Sequence, residues 1–137
     1  MTDGLDKKPD GRCLLLVEDE YIIADDLALS LERLGFEIVG PAGSVQEALD
    51  LVSRNGDRLD GAVLDINLRG ERAYPIADAL SDRGVPFVFT TGYDTQVIPA
   101  PYATVPRCEK PVNLEQLSRW LLKAESAKRR TNTLAIA

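Results

Sequence analysis

Three apolar stretches of the chain end in side chains suited to phosphoryl chemistry, and a fourth, weaker stretch leads to a lysine. The candidates are three carboxylates, one hydroxyl and one ammonium group: Glu18, Asp19, Asp65, Thr91 and Lys110. Short apolar runs separated by helix-like stretches predict a parallel sheet with buried strands. Ligands of such sheets lie beyond the carboxyl ends of the strands. We therefore expect these five side chains to meet in one cleft.

Three carboxylates within a few ångströms raise at least one carboxyl pKa unless a cation neutralises them. Mg²⁺ suits such a place because it favours one or two carboxylates, several waters and a phosphate oxygen. Lys110 would compete with the metal if it lay among the metal's ligands. We therefore expect Lys110 to hold an oxygen of the incoming phosphoryl group from the opposite side, and Thr91 to donate a hydrogen bond to another phosphoryl oxygen. Asp65 then remains as a carboxylate nucleophile that forms an acyl phosphate, with catalysis by positioning and charge stabilisation.

Hydrophobic periodicity and turn residues predict the elements that position these groups. Helical spacing of leucines and isoleucines predicts a helix over 21–34, followed by a short strand over 36–39 from which Gly40-Pro41 turns away. Ser44 and Glu47 form a capping box for a second helix. Residues 67–70 are expected to be a loop, and Pro75 suits the first turn of a third helix. Asn113 is expected to cap a final amphipathic helix.

The predicted order β-α-β-α-β-α-β-loop-β-α indicates a single α/β domain with right-handed crossovers. We expect a flavodoxin-like three-layer sandwich, whose five-stranded parallel sheet has the order 2-1-3-4-5. Its switch point lies between strands 1 and 3, which brings Asp19 beside Asp65. Because Pro99, Pro101 and Pro106 disfavour helical backbone, the fourth helix should be short or irregular, and residues 93–106 mobile before phosphorylation.

Composition excludes several classes of function. No apolar run approaches the roughly 20 residues of a membrane span, and the polar N-terminus is not a signal peptide, so we expect a cytoplasmic protein. The net charge of −6 argues against a nucleic-acid surface. Histidine is absent, which excludes a phosphohistidine carrier and a histidine-ligated metal. Cys13 and Cys108 fit no zinc or redox motif, and we interpret them as buried thiols in a reducing compartment.

Taken together, the motifs resemble the receiver domain of bacterial two-component response regulators. The resemblance covers about residues 12–124, between a polar tail over 1–11 and a C-terminal tail over 125–137. Four motifs carry it: Val17-Glu18-Asp19-Glu20, Leu64-Asp65-Ile66-Asn67, Thr91-Gly92 and Lys110-Pro111. Strand 4 reads Phe89-Thr90-Thr91-Gly92-Tyr93, close to the Phe-Ala-Thr-Gly-x-Tyr variant of alphaproteobacterial receivers.

The resemblance implies a role for each matching residue. Asp65 would be the phosphoacceptor and Lys110 its salt-bridge partner. Thr91, or Thr90 if the register slips by one, would be the switch hydroxyl. Gly92 would leave access to the phosphoryl group. The metal ligands would be Glu18, Asp19, Asp65 and the backbone carbonyl of Asn67, with Mg²⁺ as the cofactor.

Two positions depart from the usual receiver. Arg107 stands where an aromatic switch residue normally precedes the lysine by three places, and Arg69 replaces the usual proline four residues after the phosphoacceptor. No output domain follows the predicted receiver, so we expect a stand-alone regulator that is not an enzyme beyond its own phosphotransfer and dephosphorylation. It would accept its phosphoryl group from a sensor histidine kinase or histidine phosphotransfer protein. It would then signal through a downstream protein or act as a phosphate sink.

Two other classes of function are alternatives to this interpretation. A Mg²⁺-dependent phosphatase of the haloacid-dehalogenase type also uses an aspartate at a strand end. It needs a second aspartate two residues further on, where this chain has Asn67. An interaction module that keeps only the fold would not need the acidic pair, Asp65, Thr91 and Lys110. The oligomeric state is left open.

Overall fold

The computed structural model describes residues 11–92 and 98–123. Five strands form one parallel sheet: β1 (Cys13–Val17), β2 (Glu37–Ala42), β3 (Gly61–Asp65), β4 (Phe87–Thr91) and β5 (Arg107–Glu109). Their order in the sheet is β2-β1-β3-β4-β5. This order confirms the flavodoxin-like prediction and puts the ends of β1 and β3 side by side at the switch point.

Four helices flank the sheet: α1 (Tyr21–Arg33), α2 (Val45–Asn55), α3 (Tyr74–Asp82) and a final helix, α4, over residues 114–123 of the described part. One apolar cluster joins one face of the sheet to α2 and α3 through Val52 and Leu80. A second cluster joins the opposite face to α1 and α4 through Leu31 and Leu117. The predicted three-layer sandwich is thereby confirmed.

The helix starts follow the sequence signals in two places. The Ser44 side chain accepts from the backbone N–H of Glu47 at 3.1 Å, and the Glu47 carboxylate accepts from Gly43, close to the predicted capping box. Asn113 accepts from Gln116 N–H at 2.9 Å and begins α4. Along α1, Leu27, Leu31 and Leu34 pack into the core as their spacing indicates. Ile23 shares their spacing but is 39% exposed: it lies in the first turn of α1 and lines a surface groove with Lys110 and Pro111.

The second strand was predicted to end at Val39, and this is wrong: β2 continues through Gly40 and Pro41 to Ala42. Gly40 has φ +105°, and a Cβ there would lie 2.8 Å from the Leu16 carbonyl oxygen, so only glycine lets β2 stay against β1. Pro41 is tolerated because β2 is an edge strand, where a missing N–H breaks no ladder. The pairing register shifts at this point.

The loop predicted over 67–70 is also wrong in part. Asn67–Leu68 pairs antiparallel with Glu71–Arg72 in a small hairpin immediately after β3. Arg69 and Gly70 form its turn, both with positive φ, at +53° and +92°. The Asn67 side chain accepts from Gly70 N–H at 3.0 Å and closes the turn. The alternation of polar and apolar residues over Asn67–Leu68 is too short to predict a strand from the sequence.

Between β4 and β5, the described residues 98–106 contain a single short 3-10 helix, Ala100–Tyr102. This agrees with the prediction that the helix between the fourth and fifth strands is short or irregular. Residues 93–97 lie outside the described residues. Ile98, Tyr102 and Val105 pack against the core, although no regular helix carries them. Both cysteines are buried free thiols, as predicted.

Candidate functional site

The carboxyl ends of β1 and β3 bring three acids together. Glu18 follows β1 directly, and its N–H donates to the Ala42 carbonyl at 2.9 Å, which fixes it at the end of the sheet. Asp65 is the last residue of β3 and is 5% exposed. Glu18, Asp19 and Asp65 each offer a carboxylate oxygen, and these three oxygens lie within 4.8 Å of one another. The juxtaposition expected from the strand order is present.

Lys110 lies against this acidic cluster immediately after β5. Its Nζ is 2.9 Å from Asp65 Oδ2 and 3.0 Å from Glu18 Oε1. The sequence pointed to the contact with Asp65, but the bridge to Glu18 was not foreseen. Lys110 N–H donates to the Thr91 carbonyl at 2.8 Å, which ties the lysine backbone to the end of β4.

Electrostatics of the site favour protons or another cation. Burial raises the pKa of Asp65 above 3.8, against the opposing effect of the hydrogen bond from Lys110. Burial also raises the pKa of Glu18 above 4.5. Desolvation works to lower the pKa of Lys110, but the hydrogen bonds that it donates to Asp65 and Glu18 raise it above 10.5. All three groups therefore hold their protons more strongly than they would in water.

The remaining predicted residues lie around this cluster. Thr90 is the register partner of Asp65, and Thr91 is the next and last residue of β4. Both threonines are buried, and successive side chains of a strand point to opposite faces. Gly92 follows β4 directly. Asn67 N–H donates to Asp65 Oδ1 at 3.3 Å, which orients the carboxylate. The roles of these residues remain predictions.

Sequence reasoning missed one participant. Arg69, noted only as a departure from the usual proline, contacts Asp19 from the hairpin turn. Its Nη2 donates to the Asp19 carbonyl oxygen at 3.3 Å, and its Nε is 3.7 Å from Asp19 Oδ2. Nothing in the local pattern links positions 50 residues apart.

The acidic cluster fits a hard divalent cation by its donor set. Carboxylate oxygens are the ligands that Mg²⁺ prefers, and the net surplus of negative charge is what such an ion would neutralise. Glu18 is held by Glu20 N–H at 3.0 Å, and Asp65 by Asn67 N–H, so both carboxylates are already oriented by the backbone. Orientation by such secondary contacts is typical of metal-binding carboxylates.

Comparisons with known proteins agree with this geometry. The solution structure of SdrG from Sphingomonas melonis Fr1 is 37% identical, with a TM-score of 0.72, and the match covers 84% of this chain and 96% of SdrG. The regulator PhyR from Methylorubrum extorquens is 30% identical over 125 residues, which are 85% of this chain and 46% of PhyR. The transcriptional regulatory protein PdtaR from Mycobacterium tuberculosis is 35% identical over 83 residues, which are 60% of this chain and 40% of PdtaR.

The chain belongs to the receiver domains of response regulators. It spans less than half the length of the curated relatives it matches. No protein-family model matches the sequence. Within the described ranges, no helix has the length and apolar character needed to cross a membrane.

Proposed function

We propose that this receiver accepts a phosphoryl group on Asp65 from a phosphohistidine of a partner protein, in a Mg²⁺-dependent reaction, and signals through protein contacts. The observation that carries the proposal is the 2.9 Å contact between Lys110 Nζ and Asp65 Oδ2 beside two further carboxylates. A buried carboxylate with an ammonium group on one of its oxygens is suited to receive a phosphoryl group whose charge that ammonium then stabilises.

In the proposed step, an Asp65 carboxylate oxygen attacks the phosphorus of the phosphoimidazole. The new O–P bond forms as the N–P bond breaks, and the imidazole nitrogen leaves with the bonding electron pair. Lys110 holds one phosphoryl oxygen and the Thr91 hydroxyl donates to another. Glu18, Asp19, Asp65 and the Asn67 carbonyl would hold Mg²⁺, which supplies charge neutralisation for the incoming phosphoryl group.

A partner protein is favoured as the donor by an exposed apolar surface next to Lys110. Ile22, on α1, is 84% exposed and is therefore available to a partner. It borders a groove of about 450 Å³, which we call the α1 groove. The groove is lined mainly by apolar side chains, with three polar residues among them: Ile22, Ile23, Asp26, Leu27, Ser30, Lys110, Pro111, Val112 and Leu114. An apolar groove that includes the lysine in contact with Asp65 suits the protein segment that carries the donor histidine.

We propose a cytoplasmic protein, because two buried free thiols suit a reducing compartment. We also propose that it has no enzymatic activity toward free substrates, since Asn67 stands where a haloacid-dehalogenase phosphatase needs an acid. SdrG is known in a BeF₃-activated conformation, and this supports BeF₃⁻ as a phosphoryl mimic for this chain.

The test is incubation with acetyl phosphate and Mg²⁺, followed by mass spectrometry. We expect one phosphoryl group on the wild type and none on Asp65→Asn. Asp57→Asn is the matched control, because Asp57 is a fully exposed acid that precedes β3, at the end of this strand opposite to Asp65. Full incorporation in Asp65→Asn would overturn the assignment. In a parallel incubation with an added phosphomonoester, sustained turnover would favour a phosphatase. Neither phosphate incorporation nor turnover would favour an interaction module that uses only the fold.

A further inference from the structure

Arg69 adopts a backbone conformation that arginine rarely takes. Within the described residues it is the one non-glycine residue with positive φ, at +53°. It shares the two-residue turn of the hairpin with Gly70, and turns with two positive φ values favour asparagine or aspartate before glycine. A side chain with a Cβ is strained in this region. Backbone strain of this kind clusters at functional sites, where the surrounding structure holds it in place.

The turn directs the Arg69 guanidinium to Asp19. Nε lies 3.7 Å from Asp19 Oδ2, and Nη2 donates to the Asp19 carbonyl oxygen at 3.3 Å. The Arg69 side chain is 78% exposed, whereas the Asp19 side chain is 11% exposed. An ion pair this exposed contributes little to stability, so stability does not account for the strained turn.

The contact between Arg69 and Asp19 also changes the net charge of the acidic cluster. Lys110 pairs with Glu18 and Asp65, and Arg69 pairs with Asp19, so every acid of the cluster has a basic partner. With both partners counted, the formal charge of the site is −1 instead of −2. A divalent cation that enters the cluster is repelled by the Arg69 charge near Asp19. The net negative charge that attracts the cation is also smaller.

We propose that Arg69 is a positioning residue that competes with Mg²⁺ for Asp19 and thereby weakens metal binding by the unphosphorylated receiver. The inference rests on the proposed function, because it assigns Mg²⁺ to the acidic cluster. The guanidinium has to move away from Asp19 when the ion is bound, and its exposure leaves room for that movement. The hairpin turn keeps it close enough to return when the ion leaves.

The experiment measures Mg²⁺ binding to the full chain by isothermal titration calorimetry, without any phosphodonor. Arg69→Gln removes the charge but keeps a side chain in the same turn. We expect its Kd for Mg²⁺ to be about 3- to 10-fold lower than that of the wild type at low ionic strength, as for one unit charge several ångströms from a divalent ion in a solvated site. The difference should shrink in high salt, which screens exposed charges.

Arg72→Gln is the matched control. Arg72 lies in the same hairpin and is exposed, and the change removes the same charge. We expect its Kd to change by less than about twofold, since within the described residues Arg72 forms no ion pair with an acid of the cluster and its exposed charge is screened. Arg69→Asn is a second variant that tolerates the left-handed backbone, and it should tighten binding like Arg69→Gln. Circular dichroism verifies that each variant is folded.

Equal Kd values for the wild type, Arg69→Gln and Arg69→Asn would overturn the role of Arg69 and leave the proposed function intact. Equal tightening in Arg72→Gln would overturn it as well, since a general charge effect would then suffice. Binding by the Arg69 variants alone would support it most strongly. If none of the proteins binds Mg²⁺, the metal site and the role of Arg69 both fail, and phosphate incorporation on Asp65 is judged separately.

Discussion

Tyr102 stacks on Tyr74, with ring centroids 4.5 Å apart and the ring planes 13° from parallel. The Tyr102 hydroxyl also donates to Asp78 at 2.7 Å, so an aromatic and a polar contact tie residues 98–106 to α3. Phe89 of β4 meets the Tyr102 ring edge-on at 6.5 Å. Phe89 lies two residues before Thr91 in β4. The Phe89–Tyr102 contact therefore connects the end of β4, which carries the predicted switch hydroxyl, to the segment before β5.

We predict that phosphorylation further restrains the segment that contains residues 98–106. This would replace the aromatic rotamer switch, since Arg107 stands at the position of the usual aromatic residue. A Thr91 hydroxyl drawn toward the phosphoryl group would shift the end of β4 and tighten the packing of Tyr102. Hydrogen exchange with BeF₃⁻ and Mg²⁺ should therefore slow in this segment, and Asp65→Asn should abolish the change. Equal exchange at residues 93–106 in both states would rule out the switch.

We predict that Mg²⁺ raises the melting temperature of the unphosphorylated protein. The acidic cluster exists only when β1 and β3 are paired, so the ion binds the folded state alone. At a concentration ten times Kd, the gain is about 1.4 kcal/mol, or a few degrees. Asp19→Asn should remove most of this rise, and Asp57→Asn should keep it. A melting temperature that millimolar Mg²⁺ leaves unmoved would contradict the metal site.

We predict that Ile22→Asp slows phosphotransfer from a partner kinase but not phosphorylation by acetyl phosphate. Ile22 lines the α1 groove, and a charge there leaves the partner's apolar surface facing a carboxylate. A roughly tenfold drop in kcat/KM corresponds to about 1.4 kcal/mol, typical of an interface contact. Leu29→Asp is the control, since Leu29 is 47% exposed on the same helix but outside the groove. Equal loss in both variants would argue against the groove.

We predict that Cys108 makes the protein less stable at alkaline pH. Burial raises the pKa of its thiol above 9.0, so the unfolded chain loses this proton at a lower pH than the folded protein does. The unfolded state then binds fewer protons, and the free energy of unfolding falls as the pH rises past about 9. Urea denaturation at pH 7 and pH 10 should show a larger loss for the wild type than for Cys108→Ala. Identical losses would count against a shifted thiol.

The sequence alone determined the strand order and the identity of the acidic cluster. Buried strands are near-continuous apolar runs, and the residue after each run is fixed at the sheet edge by the strand itself. Asp65 and Glu18 therefore followed from local pattern and topology. The capping residues Ser44 and Asn113 were also predictable, because a cap depends on contacts within three residues.

Only the tertiary structure decided which charges meet. The bridge from Lys110 to Glu18 and the contact of Arg69 with Asp19 join residues 92 and 50 positions apart, and long side chains can choose among several partners. The extension of β2 through Gly40 and Pro41 likewise depends on the neighbouring strand, since the space beside the Leu16 carbonyl is what selects glycine. Local sequence carries no record of such distances, because they arise only when the strands pair.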